Sequence, residues 1–208
     1  MSQLQSIAGF AHGRVPAPVR AEQLLDVAER LFAEAGYGGT SIETIAADAG
    51  VTKPLVYRHF GSKEGVYLAC LRRARGQMEA MMAEAWAGAE GLRGKLEAGA
   101  DAYFRFVESE PLRWRVLHGS DSGVPPAVAE EATQMHLATE RGFTALLAGT
   151  AAADADPQRI LAFCHAIGGA GHQLAQWWLR TPGISREQLV AWYCEATWSG
   201  VRALVEDG

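Results

Sequence analysis

The chain has 208 residues, of which 49% are hydrophobic and 21% are charged, and its formal net charge is −5. This composition is typical of a globular protein, and a chain of this length forms one large or two small domains. No apolar run reaches the roughly 18 residues that a membrane-spanning helix needs, and no basic segment precedes an apolar core at the N-terminus, so we expect neither a membrane partner nor a secretory signal. The three cysteines are odd in number and lack metal-site spacing, which predicts reduced thiols in a cytoplasmic protein.

Apolar residues recur at helical spacing along the whole chain, without the sustained alternation that is typical of strands. Proline, glycine and capping residues divide this pattern into predicted helices over 18–36, 41–48, 52–59, 62–88, 91–109, 111–118, 124–149, 157–180 and 185–205. The expected fold class is therefore all-α. We expect a flexible arm over 1–17, a small three-helix domain over 18–61 and a larger helical domain over 62–208.

Residues 40–63 are the most informative segment, because they predict two short helices around a tight turn. Thr40 and Ser41 offer side-chain oxygens that can cap the first of these helices. Ile45 falls at a spacing that buries one face of the helix. Gly50 stands where the chain must leave the helix in a left-handed conformation. The pattern predicts a helix-turn-helix.

The second short helix is predicted to expose its polar residues. Thr52 can cap this helix, and Pro54 falls in its first turn, where a missing N–H group is tolerated. Leu55 and Val56 are expected to point toward the core. The outer face then holds Thr52, Lys53, Tyr57, Arg58 and His59. A short exposed helix of this kind enters the major groove of DNA.

These polar residues suit contact with a DNA backbone. Lys53, Arg58 and Lys63 can reach phosphates as charged donors, and Tyr57 and His59 can add neutral hydrogen bonds. Base reading falls to the start of the second helix, where lysine or arginine favours guanine and a threonine methyl can touch thymine. The negative net charge does not oppose this prediction, because residues 1–75 carry nine Lys and Arg against seven Asp and Glu.

The residues over roughly 18–70 resemble the TetR family of bacterial transcriptional regulators. The resemblance rests on the first helix with its Gly36-Tyr37 end, on Thr40, Ile45, Ala46 and Gly50, on the run 51–60 and on Ser62-Lys63-Glu64. It implies a homodimer that binds a palindromic operator. It also implies DNA contacts from Thr40, Ser41, Thr52, Lys53, Tyr57, His59 and Lys63. Pro54 departs from the family's more common glycine or alanine and removes one backbone N–H that could meet a phosphate.

The last two predicted helices, 157–180 and 185–205, look like the antiparallel pair through which TetR-like proteins dimerise. Gly168, Gly169 and Gly171 are costly inside a helix, at roughly 1 kcal/mol each relative to alanine. Such a cluster indicates either close approach of another helix or a space left for a ligand. Two helices from each subunit would form a four-helix bundle around a two-fold axis.

Aromatic and polar residues are dense in the larger domain. In the TetR family, the space enclosed by the fourth to eighth helices holds a small-molecule inducer. The resemblance therefore implies a mostly apolar pocket for a planar, aromatic or acyl-chain compound. Our candidate ligand-binding residues are Tyr103, Trp114, His118, Met135, Phe163 and His172. We expect a repressor that its ligand releases from DNA, with no cofactor.

Other functions remain open as alternatives. The chain could be a transcriptional activator, or an architectural DNA-binding dimer without a ligand. A metal site is conceivable because His165 and His172 lie two turns apart with Cys164 adjacent, although metal motifs on one helix use closer spacing. An enzyme is not expected, because Asp121 occupies the nucleophile position of the only elbow-like sequence and no parallel sheet is predicted.

Overall fold

The computed structural model describes residues 16–119, 123–135 and 156–206, and these residues form helices and connecting turns without strands. The predicted arm over 1–17 lies almost wholly outside the described residues, as does the second half of the helix predicted over 124–149. Within the described part of the chain, no helix is long and apolar enough to cross a membrane. The all-α fold class is confirmed.

Apart from α7, which is described over only part of its predicted span, the helices agree with their predicted spans to within a few residues. In chain order they are α1 (Ala17–Gly39), α2 (Ile42–Asp48), α3 (Lys53–Phe60), α4 (Lys63–Ala87), α5 (Gly91–Ser109), α6 (Pro111–His118), α7 (126–135 as far as it is described), α8 (Pro157–Trp178) and α9 (Arg186–Glu206). Helix α1 is broken at Gly36, whose φ of 70° is a left-handed conformation that suits glycine.

A first hydrophobic core joins α1, α2 and α3 to the first half of α4. Val56 is the buried residue of α3, and it packs with the fully buried Leu24 and Ile45 of α1 and α2. Each such aliphatic side chain contributes about 1.5–3 kcal/mol through burial. Val116 of α6 and Val128 of α7 belong to the same core, so the small domain rests directly on the larger one.

A second core lies between α5, α6, α8 and α9. Phe104 and Phe106 of α5 are fully buried, and the ring of Phe104 meets Trp178 and Tyr193 edge to face. Met78 of α4 packs against the edge of this core. Helix α4 therefore contacts both cores, with its first half in the first and its second half against the second.

A buried carboxylate links α1 to α4 and α6. Glu29 is only 4% exposed, and it accepts hydrogen bonds from Nε of Arg73 at 2.8 Å and from Nε of Arg113 at 2.9 Å. Arg73 also pairs with Asp26 and Glu22. Sequence patterns did not predict this cluster, because a glutamate next to an apolar stripe usually lies at the solvated edge of a helix.

Candidate DNA interface and ligand cavity

The helix-turn-helix is built by local hydrogen bonds that follow from the sequence. Ser41 caps α2, since its Oγ accepts from the backbone N–H of Thr44 at 3.0 Å. Gly50 has a φ of 64°, which turns the chain so that the N–H of Val51 reaches the carbonyl of Ala46 at 2.9 Å. The turn then delivers α3 with one side buried and the other side exposed.

Two threonines occupy other roles than those predicted. Thr40 is 3% exposed, and its hydroxyl donates to the carbonyl of Gly36 at 2.9 Å. It closes the end of α1 and is buried, so the predictions that Thr40 caps α2 and contacts DNA are wrong for this conformation. Thr52 stands at the N-cap position of α3 and is exposed, but its side chain makes no capping bond. Its hydroxyl is therefore not engaged with the helix.

The outer face of α3 carries most of the predicted contacts. Tyr57 is 46% exposed, and Lys53, Pro54 and Arg58 are exposed as well. Lys53 forms an ion pair with Glu43 of α2, and this hydrogen bond holds the pKa of the Glu43 carboxyl below its ordinary value. The predicted base-reading lysine is thus held by a neighbouring acid when no DNA is bound.

His59 and Leu55 lie between the two faces of α3. His59 is half-buried, its ring centroid lies 6.0 Å from that of Phe60, and its Nε2 atom is covered and lacks a hydrogen-bond partner among the described residues. We predicted that His59 lies on the outer face of α3, and this prediction is wrong for its Nε2 atom, which is buried. Leu55, which was predicted to point into the core, is also half-buried. An eight-residue helix with one fully buried side chain leaves these flanking positions at the boundary.

Lys63 is held where α4 begins. Ser62 caps this helix by accepting from the N–H of Gly65 at 3.1 Å, and the Nζ atom of Lys63 lies 4.0 Å from the centre of the Tyr37 ring. The Tyr37 hydroxyl donates to Glu64 at 2.9 Å. Burial, together with this hydrogen bond, raises the pKa of Tyr37 to about 12. Lys63 is therefore tied to the first core through an aromatic ring.

A largely apolar cavity of about 400 Å³ lies in the larger domain, between α4, α5, α6, α8 and α9. Its lining comprises Arg75, Met78, Met82, Trp86, Leu92, Lys95, Leu96, Gly99, Ala100, Tyr103, Leu117, His118, Cys164, His165, Ile167, Gly168, Gly169, Gly171, His172, Tyr193 and Val201. Three of the predicted ligand-binding residues, Tyr103, His118 and His172, are among them. The glycine cluster of α8 also faces this space, and its lack of side chains leaves room for the cavity.

Two imidazole rings on one wall of the cavity stack with a tryptophan ring behind them. Trp114 lies nearly parallel to His118 and His172, with centroid distances of 4.7 and 5.5 Å, and the two imidazoles are 4.7 Å apart. Trp114 is buried behind the lining, and its Nε1 donates to the Tyr103 hydroxyl at 2.9 Å. Burial raises the pKa of Tyr103 to about 12.

Besides Trp114, two other predicted ligand-binding residues do not line the cavity. Met135 of α7 packs against the first core, and its carbonyl accepts from Arg75 at 3.3 Å. The ring of Phe163 packs against α9 so closely that a Cβ atom on Gly200 would lie 2.6 Å from it. Both predictions are wrong because tertiary packing places these side chains elsewhere. No group of three His, Cys, Asp or Glu side chains in the described ranges could hold a metal ion.

The fold joins a helix-turn-helix to a helical domain that contains an apolar cavity, and this combination defines a helix-turn-helix regulator. Residues 24–70 match the family model described as bacterial regulatory proteins, tetR family. A TetR-like transcriptional regulator from Rhodococcus sp. RHA1 has a similar structure, with a TM-score of 0.72 and 25% identity over 91% of this chain and 99% of that one. Residues 24–70 therefore match the TetR-family DNA-binding region, which confirms the resemblance there.

Relatives of this chain include both a transcriptional activator and a transcriptional repressor. The transcriptional activator FasR of Mycolicibacterium smegmatis is 35% identical over 127 residues, or 61% of this chain and 57% of FasR. The repressor AcnR of Corynebacterium diphtheriae is 32% identical over 66 residues, or 32% of this chain and 35% of AcnR. The chain thus matches little more than half the length of FasR and about a third of AcnR. These relatives are regulators, in agreement with the prediction against an enzyme.

One structural neighbour contains a ligand. It is the transcriptional regulator FadR from Bacillus subtilis in complex with stearoyl-CoA, with a TM-score of 0.70 and 18% identity over 88% of this chain and 97% of that chain. At this identity the likeness concerns the fold.

Proposed function

We propose that the chain is a homodimeric transcriptional regulator that binds a palindromic operator through α3 and changes its DNA affinity when a small, largely apolar ligand occupies the cavity. The single observation that carries this proposal is the position of α4. Its N-terminal turn, with Lys63, adjoins the helix-turn-helix, while Met78, Met82 and Trp86 on the same helix line the cavity. A ligand that displaces α4 therefore acts directly on the DNA-binding domain.

The exposed face of α3 supports the DNA-binding part of the proposal. Tyr57 and Arg58 are exposed beside Lys53, and Lys63 lies at the start of the next helix. Such a face can contact phosphates on both sides of a major groove while the helix start meets base edges. Thr52, whose hydroxyl is not used for capping, and Lys53 are the proposed base readers. Ser41 lies at the start of α2, where the free N–H groups of a helix favour a phosphate.

Exposed aromatic residues support dimerisation through α8 and α9. Trp192 and Trp177 are 47% and 41% exposed, and Leu161 is exposed on the same pair of helices. Large apolar side chains at the surface mark interaction sites when they cluster. A two-fold interface places each of these side chains against a matching patch on the partner. The partner in this proposal is a second copy of the chain.

The cavity supports an apolar ligand. Met78, Met82, Leu96 and Ile167 lie along it, with a few polar groups at its walls. A cavity of this volume and character suits a small organic molecule. The stearoyl-CoA that is bound to the FadR neighbour is consistent with an acyl-chain ligand, one of the classes expected from the sequence. A ligand that fits better when α4 is displaced shifts the spacing of the two α3 helices away from the roughly 34 Å between palindromic half-sites.

Whether the bound regulator represses or activates transcription depends on the position of its operator relative to the promoter. FasR is named an activator and AcnR a repressor, so both outcomes occur among relatives of this chain. We favour release of a repressor by its ligand and keep activation as the second candidate. A DNA-binding dimer that needs no ligand is the third, and it leaves the cavity of the larger domain without a role.

Selection of bound DNA from a random pool, at controlled salt, tests the proposal. The purified dimer is expected to recover a palindrome, and Lys63→Ala and Tyr57→Phe are expected to weaken binding to all sequences. Lys63→Ala should also reduce the salt dependence by about one phosphate contact. Arg105→Ala, which removes an exposed cation of α5, is the matched control and should change neither quantity. The docking geometry is wrong if Lys63→Ala and Tyr57→Phe both retain full affinity at physiological salt.

A further inference from the structure

His172 has one nitrogen that the protein does not satisfy. The pKa of its ring is lowered by burial, so the ring is neutral near neutral pH and carries one N–H donor and one acceptor nitrogen. The side-chain amide nitrogen of Gln176 lies 3.0 Å from Nε2 of His172. An amide nitrogen donates only, so Nε2 accepts and the ring proton resides on Nδ1.

The Nδ1–H group of His172 is buried and has no hydrogen-bond partner in the described part of the chain. A buried donor without a partner is destabilising, so such groups are rare in native proteins and call for an explanation. The two polar neighbours on this wall are already engaged. Nδ1 of His118 faces the carbonyl of Trp114 at 3.0 Å, and the hydroxyl of Tyr103 accepts from the Trp114 indole.

The residue that carries this donor lies at the wall of the cavity. His172 lines the cavity wall, and its ring is stacked among Trp114 and His118 of α6. Atoms around the Nδ1 group cover it, so an incoming atom reaches it only when the imidazole moves away from its present neighbours. A molecule that makes this contact therefore displaces the His172 ring from its stack with Trp114 and His118.

We propose that the cavity selects a ligand with an oxygen acceptor attached to an apolar body, and that His172 is the specificity-determining residue that donates to this oxygen. The inference rests on the proposed function of the cavity and deepens it. Forming the bond removes the buried unsatisfied donor of the ligand-free protein and opens the stack of Trp114, His118 and His172. Trp114 adjoins Arg113, whose partner is Glu29 of α1, so the opening is transmitted toward the DNA-binding domain.

The test compares two probes of the same shape. In 2-undecanone a carbonyl oxygen is the acceptor, and in 2-methyl-1-undecene a methylene group replaces that oxygen. Both are measured by displacement of the fluorescent apolar reporter N-phenyl-1-naphthylamine from the full-length protein. We expect the ketone to bind about tenfold more tightly than the alkene, the factor expected from satisfying one buried neutral donor.

Three substitutions assign the preference to one nitrogen. His172→Asn places an amide nitrogen near the position of Nδ1 and should keep most of the preference for the ketone. His172→Gln places its amide nitrogen near the position of Nε2, and His172→Phe keeps the ring without a donor, so both should abolish the preference while the reporter still binds. Gln173→Leu removes a polar side chain from the neighbouring exposed position of α8, outside the cavity lining, and is the matched control, with the preference unchanged.

The outcomes separate this inference from the proposed function. Equal affinity for the two probes, or a preference that survives in His172→Phe, overturns the role of His172 while the cavity remains a ligand site. If the reporter does not bind the native protein, both the inference and the ligand part of the proposed function fail. DNA selection then still decides whether the chain is a DNA-binding dimer.

Discussion

Nε of Arg113 on α6 donates to the buried carboxylate of Glu29 on α1 at 2.9 Å. The same carboxylate accepts from Arg73 of α4, so one acidic residue of the DNA-binding domain contacts two helices that also border the cavity region. The contact connects the wall that carries Trp114 and His118 with the first helix of the domain that carries α3. This contact gives the ligand-dependent movement of α6 that we propose a direct route to α1.

Replacement of Glu29 by alanine is expected to destabilise the protein by about 3 kcal/mol or more, because it leaves two arginines facing each other without their shared buried partner. Urea unfolding followed by far-ultraviolet circular dichroism measures this loss. Glu97→Gln, which removes an exposed acid paired with Arg93, is the control and should cost less than about 1 kcal/mol. Equal costs for the two variants would show that the Glu29 cluster is an ordinary surface ion pair.

If Lys53 contacts DNA as we propose, its ion pair with Glu43 opposes binding, since Lys53 must leave Glu43 before it can reach a base or phosphate. Glu43→Gln is therefore expected to tighten operator binding a few-fold, and the gain should shrink as salt screens the pair. Fluorescence anisotropy with a labelled operator at low and physiological salt is the measurement. Glu34→Gln removes the same charge from α1, where it pairs with Arg30. A comparable gain in this control would assign the effect to net charge alone.

Stability is expected to fall at alkaline pH through Tyr37. Burial, with the hydrogen bond to Glu64, raises its pKa from 10.0 to about 12 in the folded protein. Above pH 10 the unfolded chain loses this proton while the folded chain keeps it, so the free energy of unfolding decreases as pH rises toward about 12. Below pH 10 the contribution is fully present.

The Tyr37→Phe variant tests this pH dependence. It should be less stable than the native protein near neutral pH, because the hydrogen bond to Glu64 is lost, and it should show a shallower decline in the alkaline range. Urea midpoints measured across that range give both quantities. Tyr57→Phe, on the exposed face of α3, is the control with the native slope. A native slope in Tyr37→Phe would exclude Tyr37 as the titrating group, and Tyr103, whose pKa is also raised to about 12, would be examined next.

Trp192→Glu is expected to convert the proposed dimer into monomers, because a two-fold interface buries the introduced charge twice, once on each copy. Sedimentation velocity at several protein concentrations measures the change. Tyr57→Glu places the same charge at an aromatic position of similar exposure on α3 and should leave the dimer intact. If Trp192→Glu remains dimeric, the interface does not include this face of α9.

The sequence by itself determined the local features of this protein. Capping by Ser41 and the left-handed turn at Gly50 depend on residues only a few positions apart, so their patterns were readable without a structure. The helical period likewise determined the order of the helices in the described ranges and the burial of Val56. The presence of a helix-turn-helix with Lys53, Tyr57 and Arg58 exposed on its second helix follows from these local rules.

Only the tertiary structure decided which distant side chains meet. Glu29 is buried because arginines 44 and 84 residues farther along the chain converge on it, and no local pattern encodes that meeting. Three of six ligand candidates line the cavity and Trp114 lies directly behind it, whereas Met135 and Phe163 pack elsewhere, because aromatic and apolar residues look alike in sequence whether they line a cavity or fill a core. The unsatisfied nitrogen of His172 depends on the placement of α6 against α8, a long-range packing choice.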